Sequence, residues 1–129
     1  MYLVDTDWVA PFLKGRPEAV QLLTALSADG LAISLITYGE IYEGIYYGRN
    51  PTVAEAGFRE FLRGVRILPL TRPITRRYAR IRGDLRARGL LIGDGDLLIA
   101  ATALHHGLTL VTGNVRHFER IPGLTIHQP

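Results

Sequence analysis

Tyr2-Leu3-Val4-Asp5-Thr6-Asp7 opens the chain with a short apolar run that stops on an acid. Brief, mostly apolar runs of this kind read as strands buried on both faces, as in a parallel sheet. The pattern recurs at Leu31–Ser34, Val65–Leu68, Thr109–Thr112 and Leu124–His127. Helical periodicity fills the gaps: Pro17 to Ala28, Thr37 to Tyr47, Pro51 to Arg63 and Pro73 to Arg88 each carry an apolar seam. The segment from Asp96 to His106 is apolar almost all round and ends at Gly107, so a helix buried on most sides is expected there. Strands alternating with helices imply an α/β sandwich with a mainly parallel central sheet of about five strands. No repeat, linker or low-complexity stretch divides residues 1–129, and a single domain is expected.

The composition narrows the function classes. The 129 residues are 47% hydrophobic and 21% charged, which suits a globular domain and not a disordered one. With no cysteine, disulfide frameworks and thiolate metal sites are excluded. Met1 leads straight into Tyr2-Leu3-Val4 without a charged leader or long apolar stretch, and no run approaches the ~20 residues that span a bilayer. A cytoplasmic protein with no membrane partner is expected. The net charge is +3, and ten arginines against two acids, Glu60 and Asp84, lie between Arg59 and Arg88. A basic belt separate from acids beside strand-like runs suits a nuclease, one part holding phosphates and the other cations. Solvation of helix surfaces would explain the arginines too.

In a parallel sheet, ligands bind outside the carboxyl ends of the strands. Asp5 follows the first strand, and Asn114 comes two residues after the fourth. Glu40 lies early in the helix leaving the second strand, and Asp96 opens the buried helix that feeds the fourth. Topology therefore gathers these four on one rim. Carboxylates gathered this way raise one another's pKa unless a cation neutralises them. Oxygen ligands without cysteine favour Mg²⁺ or Mn²⁺ over zinc, and such an ion can activate water for attack on a phosphodiester. Other roles stay open: Asp94 or Asp96 as a helix cap, Asp7 as a cap for a helix after the first strand, Glu43 as a solvated helix residue.

Four blocks resemble the PIN-domain family in order over nearly the whole chain. They are Tyr2 to Asp7, Ile33 to Gly44 with Glu40, Asp96 to Leu104, and Leu110 to Phe118 with Asn114. Their wording is most similar to VapC, the toxin of type II VapBC toxin–antitoxin modules. The resemblance implies a PIN-like α/β/α sandwich and a Mg²⁺- or Mn²⁺-dependent endoribonuclease, usually dimeric and restrained by a cognate VapB-type antitoxin. It implies Asp5 and Asp96 as main metal ligands and Glu40 as the third acid. Asn114 stands where many members carry a fourth acid, which weakens the case for a second metal; Asp94 could compensate in part. Thr6 and Thr112 would be hydroxyls that orient the carboxylates.

Two rival readings accompany this one. Asp5-Thr6-Asp7 and Gly93-Asp94-Gly95-Asp96 imitate the acidic blocks of haloacid-dehalogenase-like phosphatases, but the only lysine, Lys14, lies soon after the first acid and Glu40 is left idle. A catalytically weakened PIN scaffold acting as an RNA- or protein-binding module is the other. Tyr38, Tyr42, Tyr46 and Tyr47 could form a partner face or, for Tyr38 and Tyr42, pack inward. His105 and His106 suit a helix C-terminus, while His117 and His127 show no partner at ligand spacing. Arg76, Arg77 and Arg80 are candidates for RNA phosphate contacts, and an acidic antitoxin tail would suit them equally.

Overall fold

Four short strands pair in parallel in the order β3-β2-β1-β4: β1 (Tyr2–Val4), β2 (Leu31–Ser34), β3 (Val65–Leu68) and β4 (Thr109–Val111). The structure is a computed structural model and describes residues 1–128. Among the described residues seven α-helices, and a 3-10 turn at Ser27–Asp29, connect and cover the strands: α1 (Thr6–Leu13), α2 (Pro17–Leu26), α3 (Leu35–Tyr46), α4 (Pro51–Leu62), α5 (Arg72–Ala87), α6 (Asp94–His106) and α7 (Val115–Phe118).

Both faces of β1, β2 and β4 are buried, which explains why those strands lack an alternating pattern, whereas the edge strand β3 leaves Arg66 and Ile67 exposed. On one face Leu3, Ala32, Leu68 and Leu110 pack with Leu85 of α5, Leu97, Ile99, Ala100 and Ala103 of α6, and Phe118 of α7. On the other, Val4, Leu31, Ile33 and Val111 meet Val9 of α1, Leu23 of α2, Ile41 and Ile45 of α3, and Phe58 of α4. The result is an α/β/α sandwich. The near-continuous apolar surface of α6 follows from its place between the sheet, α5 and α7, and Gly107 ends it in a left-handed conformation at φ 64°.

The sheet has four strands among the described residues, not five. Leu124–His127 reaches β4 but makes only one bridge, Leu110 with Ile126, through Leu110 N–H to Thr125 O at 2.9 Å and His127 N–H to Leu110 O at 2.8 Å. β4 itself offers only three residues, and the turn at Gly123 (φ 80°) brings the chain alongside it too late for a longer ladder. The helix after the first strand starts at once, at Thr6, and its cap is Asp5 rather than Asp7.

The chain order decides where a site can form. From β1 the chain builds outward through β2 to β3, then crosses to the other side of β1 for β4. The switch point is therefore the crevice beyond the carboxyl ends of β1 and β4, where ligands bind in open α/β sheets. Asp5 and the loop Thr112–Asn114 stand at that crevice. Among the described residues no helix is long and apolar enough to cross a membrane.

Candidate active site

Asp5 is the most constrained acid. Only 6% exposed, it ends β1 and caps α1: Oδ1 accepts from the Thr6 N–H at 2.7 Å and Oδ2 from Thr112 Oγ1 at 2.8 Å. Burial and then the neighbouring Asp7 charge push its carboxyl up to about 7, with a smaller push from Asp96; the bonds from Thr112 and Thr6 oppose the rise.

Glu40 comes from the second turn of α3. Ser34, the last residue of β2, caps that helix by accepting from the Thr37 N–H at 3.0 Å, so α3 leaves the sheet edge immediately. Thr6 Oγ1 donates to Glu40 Oε1 at 2.6 Å and lies 3.1 Å from Thr37 Oγ1. Glu40 Oε2 stands 3.8 Å from where a Cβ on Gly95 would be, so α6 begins right beside it.

Asp96 is the third residue of α6, where the N-terminal dipole favours a negative charge. Its Oδ2 lies 3.5 Å from Asn114 Nδ2 and 3.2 Å from His117 Nδ1. Asn114 is held in place from the backbone, its N–H donating to Thr112 Oγ1 at 3.0 Å. Asp94 is engaged elsewhere: Tyr78 Oη and Arg82 Nε of α5 both donate to its Oδ1 at 3.1 Å.

Two residues of this rim escaped the sequence reading. Asp7, in the first turn of α1, accepts from the Gly113 N–H at 2.9 Å, and burial followed by the charges of Asp96 and Glu40 raises its pKa. The signal was the abrupt start of α1, which keeps residue 7 at the sheet's carboxyl edge. His117, read as lacking a partner, in fact meets both Asp96 and Asn114. Its signal was the spacing of three residues from Asn114, which one turn of α7 brings onto one side.

The PIN domain family profile matches residues 2–124. The chain belongs to the PIN-domain family. Ribonuclease VapC2 of Haemophilus influenzae is 33% identical over 123 residues, covering 95% of this chain and 93% of that protein. The tRNA(fMet)-specific endonuclease VapC of Salmonella typhimurium is 30% identical over 125 residues, 97% of this chain and 95% of that one. Among solved structures, VapBC2 from Rickettsia felis bound to a DNA fragment from its promoter superposes with a TM-score of 0.90 at 30% identity, over 98% of this chain and 96% of that chain.

In this PIN domain the acidic rim and the basic residues are separate. Arg76, Arg77 and Arg80 line a groove with Pro73, Leu104 and His105, at the opposite end of α6 from Asp96. The tyrosines divide as well. Tyr38 and Tyr42 pack on Phe58, with Tyr42 Oη donating to Glu55 at 2.9 Å, whereas Tyr46 and Tyr47 are 65% and 88% exposed. His127 packs edge-on against Tyr2.

Proposed function

We propose that this chain is a divalent-cation-dependent endoribonuclease, using Mg²⁺ or Mn²⁺, and the toxin of a VapBC-type pair. The observation that carries the reading is electrostatic. Asp5, Asp7, Glu40 and Asp96 share one crevice, and no lysine or arginine pairs with any of them among the described residues. Burial and then the Asp7 charge raise the Asp5 carboxyl, and a divalent cation in the crevice would offset both.

The donor set fits a hard ion, being carboxylates with amide and hydroxyl neighbours. No three His, Asp or Glu side chains among the described residues already converge tightly enough to hold an ion unaided. An ion bound there would keep several of its waters, as Mg²⁺ does when held through one or two carboxylates. Asp5, Asp96 and Glu40 would hold the cation, which would activate water and offset charge on the phosphodiester under attack.

The chain's own groups do the rest. Thr112 and Thr6 fix the rotamers of Asp5 and Glu40 through short hydrogen bonds. Asn114 and His117 hold the open corner beside Asp96. The arginine groove supports contact with RNA phosphates beyond the scissile bond. By analogy with the VapBC complexes among its structural relatives, the chain pairs with a VapB-type antitoxin; the proposal also takes it to be a homodimer working in the cytoplasm, with Tyr46 and Tyr47 as exposed aromatic contacts.

The phosphatase reading is not favoured. Lys14 stands at the C-terminal cap of α1, and Glu40, idle in that chemistry, is held among the acids. RNA incubated with and without Mg²⁺ or Mn²⁺ tests the proposal. Cleavage should require metal and vanish in Asp5→Asn. Binding with intact RNA would support the non-catalytic scaffold, and metal-independent cleavage would overturn the central claim.

A further inference from the structure

Beside the acidic rim lies a hollow of about 590 Å³, with Asp7, Trp8, Pro11, Arg16, Glu18 and Gly113 among its walls. That volume falls within the roughly 300–1,000 Å³ of small-ligand sites. The hollow shares a wall with the rim. Asp7 and Gly113, joined by the 2.9 Å hydrogen bond from the Gly113 N–H to Asp7 Oδ2, belong to both.

Helix α1 and the turn after it shape this space. Trp8 and Pro11 stand three residues apart on α1 and therefore on one side of it. Part of the Trp8 side chain packs on the core around Val9 and Leu23, and the residue remains half-buried. The chain turns at Gly15 (φ 72°) and folds back, so that the Arg16 N–H donates to Pro11 O at 3.0 Å. Arg16 then stands at the N-cap of α2, where Ser, Asp or Asn is the usual choice, and its side chain makes no cap bond. Arg16 is exposed, and no acid pairs with it among the described residues.

From this placement we infer that the hollow seats the unpaired nucleobase next to the scissile phosphodiester, stacked on Trp8, with Arg16 against a flanking phosphate. The inference rests on the reading that the rim cleaves RNA, and it adds where the neighbouring base goes. Bases splayed out of a single strand are held by stacking on aromatic side chains, with cationic groups following the backbone. A wholly apolar occupant would leave Arg16 and Glu18 without partners. A nucleotide serves both, its phosphate meeting the guanidinium and an N–H of its base edge donating to the carboxylate. The contact is distinct from the groove of Arg76, Arg77 and Arg80, which lies at the far end of α6.

The test uses an RNA whose cut site has been mapped with the wild type, beside copies of it that each lack one base. At one position next to the cut, removing the base and changing Trp8→Ala should each lower kcat/KM by about tenfold or more. Together they should cost little more than either alone, because both remove the same contact. At other positions the two losses should multiply. Trp8→Phe should keep most of the wild-type rate, and Arg16→Ala should raise KM several-fold with kcat retained. Trp8 is the only tryptophan, so wild-type emission reports this hollow alone. In stopped flow the intact RNA should quench it, and the copy without that base should not. This measurement needs no variant, so it decides the matter even where Trp8→Ala fails to fold. Losses that multiply at every position, or emission unmoved during turnover, would overturn the inference and leave the nuclease reading standing. Emission that answers to a VapB-type antitoxin but to no RNA would make the hollow a protein-docking surface and overturn it too. No metal-dependent RNA cleavage by the wild type would remove both readings.

Discussion

Thr112 Oγ1 donates to the buried Asp5 Oδ2 at 2.8 Å while accepting the Asn114 N–H at 3.0 Å. One hydroxyl thus ties the acid after β1 to the loop after β4. Thr112→Val keeps the shape but withdraws both bonds, leaving a buried carboxylate oxygen and a backbone N–H short of partners. The expected cost is about 1–3 kcal/mol in a denaturant melt, with a large loss of RNA cleavage as Asp5 leaves its rotamer. Thr112→Ser should recover most of both. A valine variant equal to wild type in stability and rate would deny the hydroxyl this role.

Asp5 also makes the metal-free protein sensitive to pH. Its carboxyl is pushed up to about 7 in the folded chain, against 3.8 for the ordinary group. The folded state therefore holds this proton where the unfolded state has released it. Stability is whole below about pH 4, declines as pH rises and levels off above about pH 7, a change of at most about 4 kcal/mol. Asp7, also raised, acts with the same sign. Thermal melts at pH 5 and pH 8 after chelation should show the decline. Asp5→Asn should flatten it, because an amide can still accept from the Thr6 N–H and hydrogen-bond Thr112. Added Mg²⁺ or Mn²⁺ should raise the melting temperature more at pH 8 than at pH 5.

Much of this site was legible in the sequence because a parallel sheet converts chain order into position. Asp5, Glu40 and Asp96 each follow or open an element whose polarity is set by the β-α alternation, so their arrival at one edge needs no side-chain detail. Residues whose place depends on a single turn were not legible. Asp7 joins the rim only because α1 starts without a connecting loop, and His117 only because α7 makes one turn after Asn114. Asp94, two positions from Asp96, faces α5 instead, since helical geometry rotates such neighbours about 200° apart. The supposed fifth strand failed for want of length: its apolar residues pack on the core with a single bridge, which residue type alone does not distinguish from a strand.

Gly113 has a steric reason to lack a side chain. A Cβ there would stand 2.9 Å from Asp7 Oδ2, the atom that accepts the Gly113 N–H. Gly113→Ala should therefore displace Asp7 or the loop carrying Asn114, with a loss of stability and of cation affinity. Removing the obstruction in Asp7→Ala/Gly113→Ala should make the second change much milder than it is alone, a non-additivity expected of touching residues. Calorimetric titration of all four proteins measures it. Strict additivity would show that this close approach does not govern the loop.

Asp94 and Asp96 should respond oppositely to removal of charge. Tyr78 and Arg82 occupy Asp94 Oδ1, and its side chain is 63% exposed, so it serves to tie the start of α6 to α5. Asp94→Asn should leave Mn²⁺ affinity within about twofold, with a stability change under about 1 kcal/mol for an exposed pair. Asp96→Asn should abolish metal binding while the fold persists. Equal losses of affinity in the two variants would place Asp94 among the ligands.

The arginine groove makes a separable contribution to RNA binding. Arg76, Arg77 and Arg80 lie near the C-terminal end of α6, and Asp96 near its start, about 13 Å away along the helix. No acid pairs with these three among the described residues, since Asp84 in the same groove is bridged to Arg88 at 3.0 Å. Free guanidinium groups at that distance can hold phosphates flanking the cleaved bond but cannot touch it. The triple change to alanine should weaken binding of a long RNA and lower the log–log salt slope by roughly 2, about 0.7 for each single-strand phosphate that an arginine no longer neutralises. Cleavage of a dinucleotide, whose single phosphodiester cannot occupy the rim and the groove together, should persist at the wild-type rate. Equal loss on long and short substrates would mean that the arginines support the catalytic rim itself; an unchanged salt slope would remove them from the RNA path.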